Sequence, residues 1–294
     1  MDLTAKIAIL GLGKWGKNLI KEFSKQATIA YCFHNGNTEN STWLKQNYPN
    51  IQITDSYEKI LADKSVGAIV IATPIATHYE LAMQALKAGK NIFIEKPGTE
   101  TSVEMQALCE EAKENNLTIA VGYLFIQSPA FLKLKELIKN EKIESLNFEW
   151  LKWGTFLEHP TLNLFSHEIS IMLSLGLIPD KKEFYQETKL VSDADILQII
   201  LKSGETKITA YLNRVSSEKR KTVICKTNKN IYIWENDSLF IVDPTKKEKL
   251  EIGIDKSKTP LALEVSDFLK CLEGGGKPKA DGELAVQILK IIEL

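Results

Sequence analysis

The sequence lacks the cysteine pattern of a disulfide framework or of a zinc site. Its 294 residues include four cysteines, and no two of them form a C-x-x-C pair. Secreted disulfide scaffolds and zinc-binding motifs both need closely and regularly spaced cysteines. We therefore expect a protein with reduced thiols and with no metal site.

The sequence also lacks an excess of charge and any long hydrophobic run. Its formal net charge is −1, with 37 basic and 38 acidic residues, so no global field attracts nucleic acid or an acidic membrane surface. No apolar stretch approaches the ~18 residues of a membrane-spanning helix, and the N-terminus does not follow the pattern of a signal peptide. We expect a cytoplasmic protein without nucleic-acid or membrane partners.

The first 122 residues alternate short apolar runs with longer helical patterns. Strands are predicted at Lys6–Leu10, Thr28–Phe33, Ile51–Ile53, Ala68–Ala72, Asn91–Ile94 and Leu117–Val121, and helices at Lys14–Gln26, Ala76–Ala88 and Ser102–Asn115. Strands that are apolar along their whole length and separated by helices are typical of a parallel sheet covered on both faces. The pattern predicts an α/β fold whose first domain, 1–122, is a doubly wound, dinucleotide-binding Rossmann domain.

The remaining residues, 123–294, follow a different rhythm. Short strand-like runs between about 189 and 242 are separated by turn signals, and helices are predicted at Pro129–Lys139, Phe165–Leu175, Leu261–Leu272 and Glu283–Leu294. Tight turns between short strands favour an antiparallel sheet with one open face. We expect a substrate-binding and oligomerisation domain of the α+β class. Its open, partly apolar sheet face predicts a homodimer or homotetramer.

A glycine-rich loop directly follows the first predicted strand and leads into the first helix. It reads Gly11, Leu12, Gly13, Lys14, Trp15 and Gly16. Glycines at these positions permit a tight turn, a close approach to a pyrophosphate and close packing of helix on strand, while the helix N-terminus attracts the phosphates. A plain glycine turn in a non-binding domain is the alternative. The context predicts a dinucleotide cofactor.

The second strand ends without the acid that often binds the adenine ribose. His34 and Asn35 follow it, and the next acidic residue is Glu39. A missing carboxylate removes the repulsion against a 2′-phosphate, which favours NADP, with His34 and Asn35 as candidate donors. NAD held through neutral contacts is the alternative.

Two further strand ends carry candidate site residues at the same carboxyl edge of the sheet. Thr73 and Pro74 end the fourth strand, and His78 begins the next helix, where it lines either the cofactor site or the solvent. Glu95 and Lys96 end the fifth strand before a proline. Lys96 in isolation is as readily a surface lysine, but at this edge its ammonium can bond the substrate oxygen during hydride transfer.

These motifs, in the order G-L-G-K-W-G, A-T-P-x-x-x-H and E-K-P, resemble the Gfo/Idh/MocA family of oxidoreductases along essentially the whole chain. The residues predicted to bind the cofactor are residues 11–16, His34, Asn35, Thr73, Pro74, His78, Glu95 and Lys96. The resemblance also implies that Lys96 is catalytic. Gly122-Tyr123 resembles the family's entry into the second domain, which makes Tyr123 a candidate substrate contact.

The family's third motif, Asp-x-x-x-His, is matched by Asn163 to His167. Spacing of four places both side chains on one face of a helix. The resemblance implies that His167 is the general acid/base and that Asn163 contacts substrate, although an amide cannot relay a proton. Without the resemblance, His167 is equally readily a core histidine. Trp150, Trp153 and Phe156 offer an aromatic wall, or more simply sheet packing.

Together these features predict an NAD(P)-dependent dehydrogenase or reductase that acts on a CH–OH or keto carbon of a sugar or nucleotide sugar. A cyclitol dehydrogenase and a deoxysugar ketoreductase are alternatives within the enzyme class. A non-catalytic dinucleotide-binding sensor or scaffold is the alternative outside it.

Overall fold

The computed structural model describes residues 6–34, 36, 38–154 and 158–294. The chain divides into two compact units, one formed by residues 1–123 and 261–293 and the other by residues 124–260 with Leu294. The predicted Asn35 and Phe156 lie outside the described residues.

The first unit is built on six parallel strands in the order β3-β2-β1-β4-β5-β6. Its elements are β1 (Lys6–Leu10), α1 (Lys14–Phe23), β2 (Ile29–Phe33), α2 (Thr38–Asn47), β3 (Gln52–Thr54), α3 (Tyr57–Ala62), β4 (Val66–Ile71), α4 (His78–Lys87), β5 (Asn91–Ile94), α5 (Ser102–Glu114) and β6 (Ile119–Val121). The central strands are fully buried because their side chains are apolar on both faces. The strand order reverses between β1 and β4, which places a crevice at their carboxyl ends.

Two C-terminal helices, α8 (Pro260–Leu272) and α9 (Gly282–Ile292), pack in this first unit. The predicted division had assigned them to the second domain. The two helices pack in the first unit because α8 has an apolar face. On this face Phe268 makes edge contacts with Phe23 and Phe93, at centroid distances of 6.3 and 5.7 Å. At the start of α9, Ala280 accepts a backbone hydrogen bond from Val121, so the chain also covers the edge strand β6.

The second unit contains an eight-stranded sheet in the order β14-β13-β12-β11-β7-β10-β9-β8. Its elements are α6 (Pro129–Leu137), β7 (Ile143–Trp153), α7 (Ser166–Ser174), β8 (Lys181–Thr188), β9 (Ile196–Ser203), β10 (Thr206–Asn213), β11 (Val215–Thr227), β12 (Ile231–Glu235), β13 (Ser238–Asp243) and β14 (Glu248–Ile252). All neighbouring strands are antiparallel except β7 and β10, which are parallel. The fold class, a parallel α/β sheet plus a largely antiparallel one, is confirmed.

Alternation along the strands of the second sheet separates a buried face from an open one. In β10 the side chains of Ile208, Ala210 and Leu212 are buried, whereas those of Thr209 and Tyr211 are half-buried. The buried face therefore forms the core of this unit, and α7 packs in the same unit with residues Ser166–Met172 all buried.

Candidate active site

The glycine loop between β1 and α1 depends on the absence of side chains at two positions. Gly11 has a φ of +101°, and a Cβ there would lie 2.4 Å from the carbonyl oxygen of Ala72. A Cβ on Gly16 would lie 2.1 Å from the carbonyl oxygen of Gly11. A Cβ on Gly13, by contrast, would meet no atom within 4 Å. Gly11 and Gly16 are thus needed by the fold, while the space at Gly13 is open to a ligand.

A pocket of about 420 Å³ opens at this loop. Eight of the predicted cofactor-binding residues line it together with Phe33 and Ala72, namely Gly11, Leu12, Gly13, Lys14, Trp15, His34, Thr73 and Pro74. The pocket lies at the switch point between β1 and β4, where α/β sheets bind their ligands. Among its described lining residues there is no carboxylate, and Lys14 and His34 are its basic side chains. The predicted residues of the glycine loop and of the ends of β2 and β4 therefore lie together at the carboxyl edge of the sheet.

His78 does not line this pocket. Its side chain is buried, with Nδ1 2.9 Å from the carbonyl oxygen of Gly98 and Nε2 2.8 Å from that of Thr73. The imidazole therefore links the backbone after β4 to the backbone after β5. This burial contradicts the solvent-facing alternative, and the cofactor contact of His78 stays a prediction. Its position supports the loops that carry Thr73 and Lys96.

Glu95 joins the end of β5 to the glycine loop. Its carboxylate accepts a hydrogen bond from the indole Nε1 of Trp15. Burial raises the pKa of Glu95 to about 7, against the opposing effect of the Trp15 hydrogen bond. A Cβ on Gly122 would lie 2.9 Å from this carboxylate, so the glycine after β6 leaves room for it. Glu95 therefore fixes the orientation of an indole that lines the pocket.

A second buried carboxyl group, Glu264 of α8, lies in the same unit. Neither of its oxygens has a hydrogen-bond partner among the described residues. Burial, together with repulsion from Glu95, raises the pKa of Glu264 well above its usual value. Burial beside a second buried carboxyl group thus favours the neutral form of Glu264.

Lys96 is half-buried and lies two residues after β5, before a cis peptide bond to Pro97. The turn after it is held by Tyr123, whose hydroxyl donates to the carbonyl oxygen of Pro97 at 3.1 Å. The side chain of Tyr123 is fully buried, and its predicted contact with substrate stays a prediction. We therefore regard it as a support of the Lys96 turn. Neither Lys96 nor Gly16, His78 or Glu95 belongs to the lining of the 420 Å³ pocket.

In the second unit, His167 lies in the first turn of α7 against two aromatic rings. Its ring centroid is 4.9 Å from that of Phe125, edge on, and 5.6 Å from that of Trp150. The side chain is buried, with 5% of its surface exposed. Trp150 thus packs beside the candidate acid/base, whereas Trp153 is exposed. Phe125 was not singled out by sequence reasoning, since it carries no polar group.

Asn163 lies in a turn of π-helix, Thr161–Phe165, that runs directly into α7. Four residues make about one turn in either geometry, so Asn163 and His167 remain on a similar face. The amide Nδ2 of Asn163 donates to the Oε2 of Glu158 at 3.0 Å. Glu158 was missed by sequence reasoning because it belongs to no motif and precedes the helix in an irregular segment.

A buried ion pair adjoins His167 in this unit. The Nζ of Lys221, on the buried face of β11, lies 4.0 Å from Oε1 of Glu168. The ammonium also lies 3.0 Å from the Phe125 ring centroid and 4.6 Å from that of Trp150. Burial lowers the pKa of Lys221 to about 7 and raises the pKa of Glu168 to about 7, each partly opposed by the partner. Lys221 was missed because the lysines of this sequence were interpreted as solvated surface residues.

The parallel order β3-β2-β1-β4-β5-β6, with a glycine-rich turn at its switch point, defines the first unit as a dinucleotide-binding Rossmann fold. Residues 5–123 match the model of the GFO_IDH_MocA family, described as an oxidoreductase family with an NAD-binding Rossmann fold. The first domain of the chain therefore matches the Gfo/Idh/MocA family of oxidoreductases. The resemblance and the oxidoreductase class predicted from the motifs are confirmed.

Known proteins extend the likeness beyond this domain. The chain is 24% identical to an uncharacterised oxidoreductase of Schizosaccharomyces pombe over 274 residues, 87% of this chain and 72% of that protein. It is 28% identical to a scyllo-inositol 2-dehydrogenase (NADP(+)) of Bacillus subtilis over 49% of this chain and 40% of the relative. The solved structure of UDP-N-acetylglucosamine 3-dehydrogenase from Acidithiobacillus ferrooxidans superposes with a TM-score of 0.90 at 23% identity. It covers 98% of this chain and 95% of that one, and at this identity it establishes the fold.

No group of three or more histidine, cysteine, aspartate or glutamate side chains within residues 6–34, 36, 38–154 and 158–294 could hold a metal ion. In the same part of the chain, no helix is long and apolar enough to cross a membrane.

Proposed function

We propose that this protein is an NAD(P)-dependent dehydrogenase or reductase that acts on a CH–OH or keto carbon of a sugar or nucleotide sugar. The observation that carries the proposal is the pocket at the switch point. Its glycine loop is free of steric obstruction at Gly13, and it is lined by Lys14, His34 and Thr73. These residues fit a dinucleotide, because open backbone at Gly13 and the α1 N-terminus suit a pyrophosphate.

The division of labour follows from the two units. The first, with Lys96, holds the cofactor, and the second, with Asn163 and His167, holds the substrate. When bound, the nicotinamide accepts or supplies the hydride. In the oxidation direction His167 of the second unit accepts the proton of the substrate hydroxyl. In the first unit, the Lys96 ammonium is a hydrogen-bond donor at the carboxyl edge of the sheet. In reduction His167 returns the proton. The scyllo-inositol dehydrogenase and the UDP-N-acetylglucosamine dehydrogenase support a polyhydroxylated substrate.

NADP is the proposed cofactor. The described lining residues of the pocket present Lys14 and His34 and no carboxylate, which suits a 2′-phosphate better than a bare ribose. We expect NADPH to bind more tightly than NADH. Equal affinities would show that the residues at the end of β2 do not distinguish NADPH from NADH. Tighter binding of NADH would make NAD the cofactor.

The test of cofactor binding is a fluorescence titration of the purified protein with NADPH and NADH. Trp15 lines the pocket and is 37% exposed, so its emission reports on occupancy. We expect saturable quenching, which a Trp15→Phe variant diminishes. A folded protein that binds neither nucleotide refutes the proposal.

Turnover is tested with scyllo-inositol and UDP-N-acetylglucosamine as probes, in the presence of NADP⁺ or NAD⁺. Lys96→Ala is expected to lower turnover by roughly 10²–10⁴-fold with cofactor affinity nearly intact. Unchanged turnover removes Lys96 from the mechanism. Tight nucleotide binding without oxidation of any sugar or cyclitol probe, and without reduction of their keto forms, favours the non-catalytic sensor.

Self-association through the open face of the second sheet is part of the proposal. Ile224 and Ile233 are paired across β11 and β12 on that face and remain half-buried in the isolated chain, as does Ile200 of β9. Apolar groups on a face that the core does not need are typical of an association surface. Light scattering is expected to give a dimer or tetramer at micromolar concentration, and a monomer contradicts it.

A further inference from the structure

The contact between Glu158 and Asn163 has a definite chemical direction. A carboxylate has only acceptor sites, whereas a side-chain amide has a donor end and an acceptor end. The group of Asn163 that lies 3.0 Å from the Glu158 carboxylate must therefore be the NH₂. The choice between the two orientations of an amide normally follows from its hydrogen-bond network, and here a single carboxylate decides it. The carbonyl oxygen of Asn163 is consequently the acceptor end that points away from Glu158.

A contact of its own backbone fixes the position of Glu158. Its backbone carbonyl accepts a hydrogen bond of 2.6 Å from Nη1 of Arg214, whose side chain is 3% exposed. Arg214 also lies 3.6 Å from the buried carboxylate of Asp195, through its Nε. Asp195 in turn accepts backbone hydrogen bonds from the loop 190–192, at 2.6 to 2.9 Å. The carboxylate that orients Asn163 thus extends from a backbone that is anchored by a buried ion pair.

The turn that bears Asn163 is anchored at a second point. The backbone N–H of Asn163 donates to the carbonyl oxygen of His159 at 3.0 Å, and Nε2 of His159 lies 3.1 Å from Oε1 of Glu187. Glu187 therefore holds the same segment without touching the Asn163 side chain in any described contact. This second carboxylate offers a matched control for the first.

We propose that Glu158 is a positioning residue that orients the Asn163 amide so that its carbonyl oxygen accepts a hydrogen bond from a substrate hydroxyl. A carbonyl oxygen has two lone pairs, so it can take this bond in addition to any other partner. The site then selects a ligand with a hydroxyl donor beside the reacting carbon and disfavours one with an ether, a carbonyl or no oxygen there. This inference rests on the proposed function, since it assumes that substrate reaches His167 on the same helical face.

Exchange of the two groups distinguishes orientation from simple packing. Glu158→Gln lets the facing amide adopt either orientation, because glutamine can donate or accept. Asn163→Asp places two carboxylates at hydrogen-bond distance, so that the pair retains a proton. The double variant Glu158→Gln/Asn163→Asp restores one donor and one acceptor and again presents an acceptor at position 163. We therefore expect the double variant to recover the substrate binding that Glu158→Gln loses.

The first measurement is the NMR signal of the Asn163 side-chain amide in the full chain, with ¹⁵N-asparagine labelling. We expect one amide proton shifted downfield by the carboxylate. Glu158→Gln is expected to abolish the shift and the control Glu187→Gln to leave it. A signal that Glu158→Gln does not change overturns the inference, whether or not a nucleotide binds.

The second measurement is the affinity of scyllo-inositol for the NADPH-loaded protein, by calorimetry. We expect Glu158→Gln to weaken binding by about tenfold, the size of one hydrogen bond, and the double variant to bind within about twofold of the natural chain. A double variant as weak as Glu158→Gln indicates packing and overturns the proposal. If NADPH and NADH both fail to bind, the proposed function has failed, while the amide signal still decides the role of Glu158.

Discussion

Replacement of the buried pair by neutral side chains, in the double variant Lys221→Met/Glu168→Gln, is expected to stabilise the protein at pH 7. At 4.0 Å two unit charges attract by about 4 kcal/mol at an effective dielectric constant of 20. Removal of each ion from water costs several kcal/mol, and no described hydrogen bond reaches the Lys221 ammonium to offset it. Cation–π contacts of the ammonium with the faces of Phe125 and Trp150 offset about 2 kcal/mol of this cost. The cost of desolvation therefore exceeds these two gains, and the charged pair lowers the stability of the folded state.

The magnitude and the pH dependence both follow from this balance. Substitutions of this kind typically gain about 1–4 kcal/mol, or roughly 3–10 °C in Tm for a unit of this size. The pKa of Lys221 is lowered, so its contribution to stability is present above pH 10.5 and is lost as the pH falls through about 7. The pKa of Glu168 is raised, so its contribution is present below pH 4.5 and is lost as the pH rises through about 7. The gain of the double variant is therefore greatest near pH 7.

The assay is urea unfolding at pH 5, 7 and 9, followed by tryptophan emission and circular dichroism. An ion pair on the surface of helix α6 in the same unit, Lys133 and Glu136, is the control. Its side chains are 32% and 67% exposed, so Lys133→Met/Glu136→Gln is expected to change stability by less than about 1 kcal/mol. A Lys221→Met/Glu168→Gln protein that is less stable than the natural one at pH 7 would show that the pair is a net stabilising zwitterion, and would refute this reasoning.

Three further predictions concern the first unit. Gly16→Ala is expected to prevent stable folding, because its Cβ would lie 2.1 Å from a backbone oxygen. Gly13→Ala is expected to retain the melting temperature of the natural chain and to weaken NADPH binding. Equal melting temperatures for the two variants would contradict this. Burial raises the pKa of Glu95 to about 7, so its contribution to stability is lost as the pH rises from 4.5 through 7, and Glu95→Gln is expected to be more stable at pH 8 by on the order of 2 kcal/mol in urea unfolding. Burial raises the pKa of the Cys32 thiol to about 12 and that of Cys109 to about 11, so a thiol reagent at pH 8 is expected to modify the half-buried Cys109 first, as peptide mass spectrometry can check.

The first sheet could be predicted closely because each of its strands is a compact apolar run. The predicted bounds of Lys6–Leu10 and Asn91–Ile94 agree with the structure, since both strands are buried on both faces and the signal comes from every residue. Helix α2, Thr38–Asn47, was not predicted, because its sequence is mostly polar and carries little apolar periodicity.

The second unit was harder to predict because its features depend on contacts between distant residues. Strand β8, Lys181–Thr188, was not predicted, since its side chains are largely charged and exposed, as is common for an edge strand. The parallel pairing of β7 with β10 has no local sequence signal. In the same way, the glycine loop could be recognised from a motif, whereas the partners of Asn163 and the ion pair beside His167 are brought together only by the fold.

The two helices that complete the first unit have a consequence for synthesis of the chain. The ribosome makes residues 124–260 between the six-stranded sheet and helix α8. At roughly 5–20 residues per second this takes on the order of 10 s. During that interval the faces of Phe23 and Phe93 that later pack on Phe268 are without their partner. The apolar surface of the nascent dinucleotide-binding unit therefore stays exposed to chaperones until helix α8 has been synthesised.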